Sequence, residues 1–120
     1  MIGGNIEAII QVKTAGKKNA IGEHEVSWSD VFSVLGWLDY SSGQNEVASY
    51  NAKLQETTHF FICDFTRWKS ATQDAEITSE NARMIVDGNI YNILLIDDPM
   101  NLHQHIEVYL KYVGGGMGVS

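Results

Sequence analysis

The fold is decided by the stretch Arg83-Met84-Ile85-Val86-Asp87-Gly88-Asn89-Ile90-Tyr91-Asn92-Ile93-Leu94-Leu95-Ile96, which has the pattern of a β-hairpin. Extended-chain residues precede Asp87-Gly88, and a longer run of branched and aromatic side chains follows it. Asp87-Gly88 favours a tight reversal, because such a turn needs positive φ and glycine adopts it without steric cost. Asn89 also tolerates positive φ, so a bulged or slightly longer loop is an open alternative. The second run is largely apolar on both faces, which predicts a central strand covered on both sides.

Four other segments alternate apolar and polar side chains, as strands with one buried face do. They are residues 6–14, 26–39, 57–65 and 105–113. In the longest of them, Gly36 is the position expected for a bulge or kink. The last is expected to face inward with Ile106, Val108, Leu110 and Tyr112. Together with the hairpin, these segments make about six strands, which predicts a mainly β protein: a small antiparallel β-barrel or sandwich.

One short helix is expected inside the long excursion 40–58 between two strands. Ser41-Ser42-Gly43 interrupts the strand pattern, and Val47, Tyr50 and Leu54 then follow at roughly helical spacing. A helix of this length is marginal alone, so it needs to dock on the rest of the protein to stay folded.

Three other connections are predicted to lack regular structure. Residues 15–25 are polar and glycine-containing, which indicates a mobile hairpin loop. Residues 67–80 are expected to form a polar connection that carries Trp68. Residues 114–120 are rich in glycine and are expected to be a flexible tail of one domain spanning 1–120.

Composition limits the function classes. The chain has 120 residues with 15 acidic and 8 basic side chains, a net charge of −7. This charge argues against general affinity for duplex DNA or for an anionic membrane, since both require a basic surface. Cys63 is the single cysteine and has no partner within the chain for a disulfide. The first residues lack the pattern of a signal peptide, so we expect a soluble protein made in a reducing cytoplasm.

Histidine, cysteine and acidic residues are present, but not at the spacings that metal sites or catalytic sites usually show. His103, His105 and Glu107 alternate, so a strand would place them on one face as candidate metal ligands. No further ligand pattern accompanies them, and a structural role on the solvent side is the favoured interpretation. Cys63 lies in an apolar strand and is expected to be buried and inert. Asp97-Asp98 precedes a proline and is expected to form part of a turn. Because none of these residues belongs to a catalytic or cofactor-binding pattern, no enzyme and no cofactor is predicted.

The order of several short motifs resembles the head-closure proteins of long-tailed bacteriophages, also called head–tail joining or stopper proteins. Trp28 opens an extended segment, and Ser42-Gly43-Gln44-Asn45-Glu46 leads into the expected helix. The hairpin fits the family pattern Arg-Met/Ile-x-Val/Tyr-x-Gly-x-x-Tyr-x-Ile, with matches at Arg83, Met84, Val86, Gly88, Tyr91 and Ile93. The resemblance covers residues from about 6 to 113.

This resemblance implies a small β-barrel that assembles as a homo-oligomeric ring, six- or twelve-fold, in the neck of the virion. The ring would lie between the portal–adaptor complex above and the tail terminator or tail tube proteins below. It would retain packaged DNA and open for ejection, while double-stranded DNA passes through without specific binding. The family has no catalytic residues and no cofactor. Its members are virion proteins assembled in the host cytoplasm, without a membrane partner.

The sequence and the resemblance together assign three groups of candidate functional residues. A gate or lumen loop is expected at Ser42, Gly43, Gln44, Asn45 and Glu46. A loop that contacts a partner is expected at Lys17, Lys18 and Asn19, with a merely solvated tip as the alternative. The structural hairpin is expected to depend on Arg83, Asp87, Gly88 and Tyr91.

Two alternatives stay open from sequence. The first alternative to a head-closure protein is another joint of the neck or tail, such as a tail-completion protein. The second is a small β-barrel module that binds a ligand or metal through His103, His105 and Glu107. Within the head-closure interpretation, residues 41–55 are either a gate or a cap docked over one end of the barrel. Polar residues 44–46 favour the gate, and the apolar spacing of Val47, Tyr50 and Leu54 favours the cap.

Overall fold

The computed structural model describes residues 6–18, 21–22, 24–40 and 56–115. The elements in chain order are β1 (Ile6–Lys18), β2 (His24–Tyr40), β3 (His59–Asp64), α1 (Phe65–Thr72), β4 (Ala82–Val86), β5 (Asn89–Asp97), a 3₁₀ turn (Pro99–Asn101) and β6 (His105–Gly114). All the predicted strands are present, and β1 and β2 extend into the connection expected at 15–25. Because β6 ends at Gly114, the glycine tail begins one residue later than expected. Residues 116–120 and the helix expected in 40–58 lie outside the described residues.

The strands close into an antiparallel barrel in the order β1-β2-β3-β6-β5-β4. Every neighbouring pair is antiparallel, and β4 returns to pair with β1 from Ala8↔Val86 to Val12↔Ala82. This confirms the mainly β prediction and selects the barrel over the sandwich. Closure leaves no unpaired strand edge among these strands, so contacts with other proteins must use side chains, loops or barrel ends.

The predicted hairpin joins β4 to β5 through the shorter of the two expected turns. Asp87 has φ 53° and Gly88 has φ 79°, so both central residues are left-handed, as a type I′ turn requires. Val86 pairs directly with Asn89, which is already the first residue of β5. The Asp87-Gly88 dipeptide is therefore the turn itself.

The barrel's bulges lie where the sequence did not indicate them. Ile10 pairs with Phe32 and Gln11 with Asp30, which leaves Val31 as the extra residue of a bulge in β2. Another register shift, between Ile93 and Leu95, places a bulge in β5. Further shifts lie between Ala15 and Lys18 and between Ile90 and Tyr91. The expected bulge at Gly36 is wrong, because Gly36 pairs in regular register with Ile6.

Gly36 is required for packing. A Cβ atom there would lie 2.5 Å from the Ile62 carbonyl oxygen and 2.5 Å from Cζ of Phe61. Both distances are far inside van der Waals contact, so only glycine allows β2 to approach β3 this closely.

The core fills the barrel and includes one face of α1. Its buried members are Ala8, Ile10, Val34, Phe61, Cys63, Trp68, Ala82, Met84, Val86, Tyr91, Ile93, Ile106, Val108 and Leu110. β5 is covered on its outer face only in part: Asn92 is exposed, while Leu94 and Leu95 pack with Phe60 against the buried Tyr109. Tyr112, which was expected to face inward, is 45% exposed.

Helix α1 corrects the prediction of an irregular connection at 67–80. Trp68 and Thr72 lie four residues apart and therefore share one helix face, and both are buried. The Thr72 hydroxyl donates to the Trp68 carbonyl at 2.8 Å, so a polar side chain is satisfied inside the core. No helix in the described residues is long and apolar enough to cross a membrane.

The strand order defines two ends of the barrel. The turn end carries the Asp87-Gly88 turn, the end of β2 at Tyr40 and the start of β3 at His59. The helix end carries α1, the Pro99–Asn101 turn and the connection from β1 to β2.

Candidate functional site

The candidate metal ligands form two separate pairs. His103 Nδ1 contacts the Asp98 carboxylate, and the His103 ring packs on Phe65 with centroids 4.5 Å apart. His105 Nε2 lies 3.0 Å from Glu107 Oε2. Within the described ranges no three His, Cys, Asp or Glu side chains converge as metal ligands. The structure therefore does not bring His103, His105 and Glu107 together as one set of metal ligands.

Asp98 organises the loop between β5 and β6, as predicted for turn chemistry. Its carboxylate accepts the His103 backbone N–H at 3.0 Å. The loop backbone is left-handed at Met100, Asn101 and His103. It presents Met100, which is 87% exposed, at the helix end of the barrel.

Cys63 has the properties of a structural thiol. Its side chain is fully buried in the core. Burial, with a smaller contribution from the neighbouring Asp64 charge, raises the pKa of the thiol to about 12. The predicted burial is therefore confirmed. A thiol with this pKa carries almost no thiolate at neutral pH, so we expect it to be unreactive in the native protein.

The two predicted loops attach to opposite ends of the barrel. Residues 42–46 of the expected gate lie outside the described residues, but the strands that flank them are described. Tyr40 pairs with His59, so the segment leaves and re-enters the barrel on adjacent strands at the turn end. Lys17 and Lys18 end β1 at the helix end; Asn19 and the side chains of both lysines lie outside the described part of the chain.

Arg83 of the predicted hairpin joins three strands on the outside of the barrel. Its Nε donates to Gln11 Oε1 at 2.7 Å, and its guanidinium lies over the Trp28 ring at 4.3 Å. Gln11 Nε2 in turn donates to Asp30 Oδ1 at 2.7 Å. Arg83 and Trp28, which come from two separate motifs of the sequence, thus contact each other. Their cation–π pair secures β4 against β1 and β2.

An aromatic cluster at the turn end was missed by sequence reasoning. The His59 ring lies 4.7 Å from Tyr40 and 5.0 Å from Tyr91, and Tyr91 lies 5.7 Å from Tyr112. Thr58 Oγ1 holds this arrangement, since it accepts the Tyr112 N–H at 2.7 Å and lies 2.8 Å from His59 Nδ1. Its rings come from β2, β3, β5 and β6, so no local motif could have indicated it.

These features define a class: a small closed antiparallel β-barrel with connecting segments at its two ends. The family model of phage head completion proteins matches residues 6–111, and the chain belongs to that family. The protein is therefore a structural component of the bacteriophage virion that acts where head and tail join, in contact with other phage head and tail proteins. The family is not one of enzymes.

A solved structure with the same fold is the solution structure of protein SF1141 from Shigella flexneri 2a. It matches with a TM-score of 0.65 and 17% sequence identity, over 92% of this chain and 93% of that one. At this identity the likeness establishes the fold alone. The sequence has no significant match among curated proteins.

Proposed function

We propose that this head completion protein is a head-closure, or stopper, protein. It forms a ring between the portal–adaptor complex and the tail, retains packaged DNA and opens for ejection. The observation that carries the proposal is the family match over residues 6–111, nearly the whole barrel. The placement of the two predicted loops at opposite ends supports it, because a protein joined to neighbours above and below needs contact loops at both barrel ends.

The charge of the chain fits a DNA channel. A net charge of −7 per subunit, multiplied around a ring, repels phosphates and lets DNA move without being gripped. Two of the described cations are engaged within the subunit: Arg83 stacks on Trp28, and Lys111 Nζ lies 2.9 Å from Glu56 Oε1.

The outer face of β2 offers a surface for contact between copies of the chain in the ring. Val31, Leu35 and Trp37 expose 49%, 43% and 43% of their surface along this strand. Barrel closure leaves no free strand edge among the described strands, and exposed apolar side chains such as these can hold a neighbouring subunit without one.

The gate is proposed within residues 41–55, with Ser42, Gly43, Gln44, Asn45 and Glu46 near its leading end. The segment joins two neighbouring strands at the turn end, so its conformation can change without breaking the barrel's hydrogen bonds. Lys17, Lys18 and Asn19 at the helix end are proposed to contact a partner on the other side of the ring.

The test is a phage that lacks this protein, examined by electron microscopy and DNA quantification. We expect DNA-filled heads that lose their genome and carry no tails, with both defects corrected by the supplied protein. If heads retain their DNA and the isolated tails lack density at the end that joins the head, the protein is a tail-completion protein. Normal tailed particles would overturn both roles.

A further inference from the structure

The turn end of the barrel contains a cavity that the proposed function does not use. It has a volume of about 210 Å³ and lies among Tyr40, His59, Tyr91, Asp39 and Asp87. Small-molecule sites usually span roughly 300–1,000 Å³, so this cavity suits one side chain better than a cofactor.

The walls of the cavity are aromatic at two depths. Tyr91 forms the inner wall with 3% of its surface exposed, and Tyr40 forms the outer wall with 84% exposed. The His59 ring lies between them, within 5.0 Å of both centroids. An occupant would therefore meet ring faces over its length rather than at a single point.

The charged groups of the cavity are of one sign. Asp39 and Asp87 line it, and no lysine or arginine among the described residues does. The pKa of Tyr91 is raised, chiefly by burial and then by the neighbouring Tyr112 and Tyr40 hydroxyls, with a smaller contribution from the negative charge of Asp87. Burial lowers the pKa of His59, which keeps its ring uncharged at neutral pH. No described side chain of the lining neutralises the two carboxylates.

Aromatic faces and carboxylates share one preference, which is for a cation. We propose that this cavity receives the cationic side chain, arginine or lysine, of a neighbouring protein. That the neighbour is a neck protein rests on the proposed function; the preference for a cation rests only on the cavity.

The preference can be tested with the isolated full chain and N-acetyl-arginine amide as the probe. In two-dimensional NMR of labelled protein, we expect saturable shifts of the resonances of Tyr40, His59 and Tyr91. The neutral analogue N-acetyl-citrulline amide should not produce them. Equal shifts with both probes, or none with the arginine probe, would overturn the proposal.

Variants locate the site. Asp87→Asn keeps a residue type that tolerates positive φ, and it should weaken probe binding about three- to fivefold, as loss of one exposed charge pair does. Tyr40→Ala, at an exposed position, should weaken it about twofold or more. Asp97→Asn, at the far end of the barrel, is the control and should leave binding unchanged. Undiminished binding in both Asp87→Asn and Tyr40→Ala would place the probe elsewhere and refute the assignment.

The two proposals fail separately. If the phage lacking the protein shows that it is not a stopper, the probe should still bind the cavity. If the probe does not bind, the head-closure role is unaffected and the cavity proposal is refuted.

Discussion

Gly36 and Gly88 are needed for different physical reasons. Gly88 has φ 79°, and no described atom lies within 4 Å of the position that a Cβ atom would take, so backbone conformation alone selects glycine there. Gly36 has no such φ, but Phe61 and Ile62 occupy the space that a side chain would need. The first reason is visible in sequence as Asp-Gly between two strands, whereas the second exists only once β2 and β3 are packed.

We expect Gly36→Ala to destabilise the barrel by roughly 1–3 kcal/mol, the usual cost of overpacking. The backbone of β3 must shift, because one of the two clashes is with a carbonyl oxygen. The free energy of unfolding from urea titration measures this. Gly114→Ala is the matched control, since it also lies in a strand and no described atom lies within 4 Å of its Cβ position. Equal midpoints for the two variants would contradict the packing argument.

Gly88→Val should destabilise the protein through the turn. A β-branched side chain at φ 79° is strained, at a cost of roughly 1–3 kcal/mol. Gly88→Asn should lose less, because asparagine adopts left-handed backbone more readily. Both are measured as shifts of the denaturant midpoint, and an unchanged midpoint for Gly88→Val would show that the turn does not limit stability.

Cys63 should react with a thiol reagent only after unfolding. Its pKa of about 12 leaves almost no thiolate at pH 8, and the buried sulfur is shielded from the reagent. The release of chromophore from a disulfide reagent at pH 8 should be slow in buffer and fast in denaturant. Rapid reaction of the native protein would mean that the core opens readily near β3.

At the scale of elements, the strands and the hairpin were predicted because each carries its own signal. Alternation marked β1 and β6, and Asp87-Gly88 marked the turn between β4 and β5. Helix α1 carries too weak a signal, because Trp68 and Thr72 are its only buried residues and one of them is polar. Its burial follows from docking against the barrel, which a single sequence does not display.

Trp68→Ala should test that docking. Trp68 is 5% exposed and belongs to the main core, so its truncation should cost about 3–5 kcal/mol, as for other buried aromatic side chains. Ser70→Ala, on the exposed side of the same helix, is the control and should change the free energy of unfolding by less than about 0.5 kcal/mol. A small effect of Trp68→Ala would show that α1 is peripheral to the fold.

At the scale of the whole molecule, closure of the barrel depends on features that alternation does not encode. The bulges at Val31 and between Ile93 and Leu95 set the register of the long strands, and neither position has a distinctive sequence. Barrel and sandwich were therefore both compatible with the pattern. The same limit applies to the cavity at the turn end, whose rings lie far apart in sequence and meet only when the barrel closes.

The question that belongs to the whole molecule is whether residues 41–55 are a gate or a cap. Tyr40 and His59 are paired neighbours, so the two attachments of the segment are about 5 Å apart. A tight turn can therefore replace residues 44–52 without straining β2 or β3. If the segment is a gate, this shortened protein should keep a cooperative unfolding transition close to that of the parent, because six strands and α1 supply the core.

If the segment is a cap, the same deletion removes buried apolar contacts worth several kcal/mol, and the isolated protein should lose its cooperative transition. A second variant, with residues 44–52 replaced by glycine and serine at unchanged length, separates the loss of the side chains from the loss of the segment's length. If the segment is a gate, both variant proteins should be folded in solution. In phage, heads that carry either variant should lose their packaged DNA. Cap behaviour appears in solution in both variants, before any phage is made. A deletion variant that unfolds in buffer would therefore refute the gate, whatever its effect on the particle.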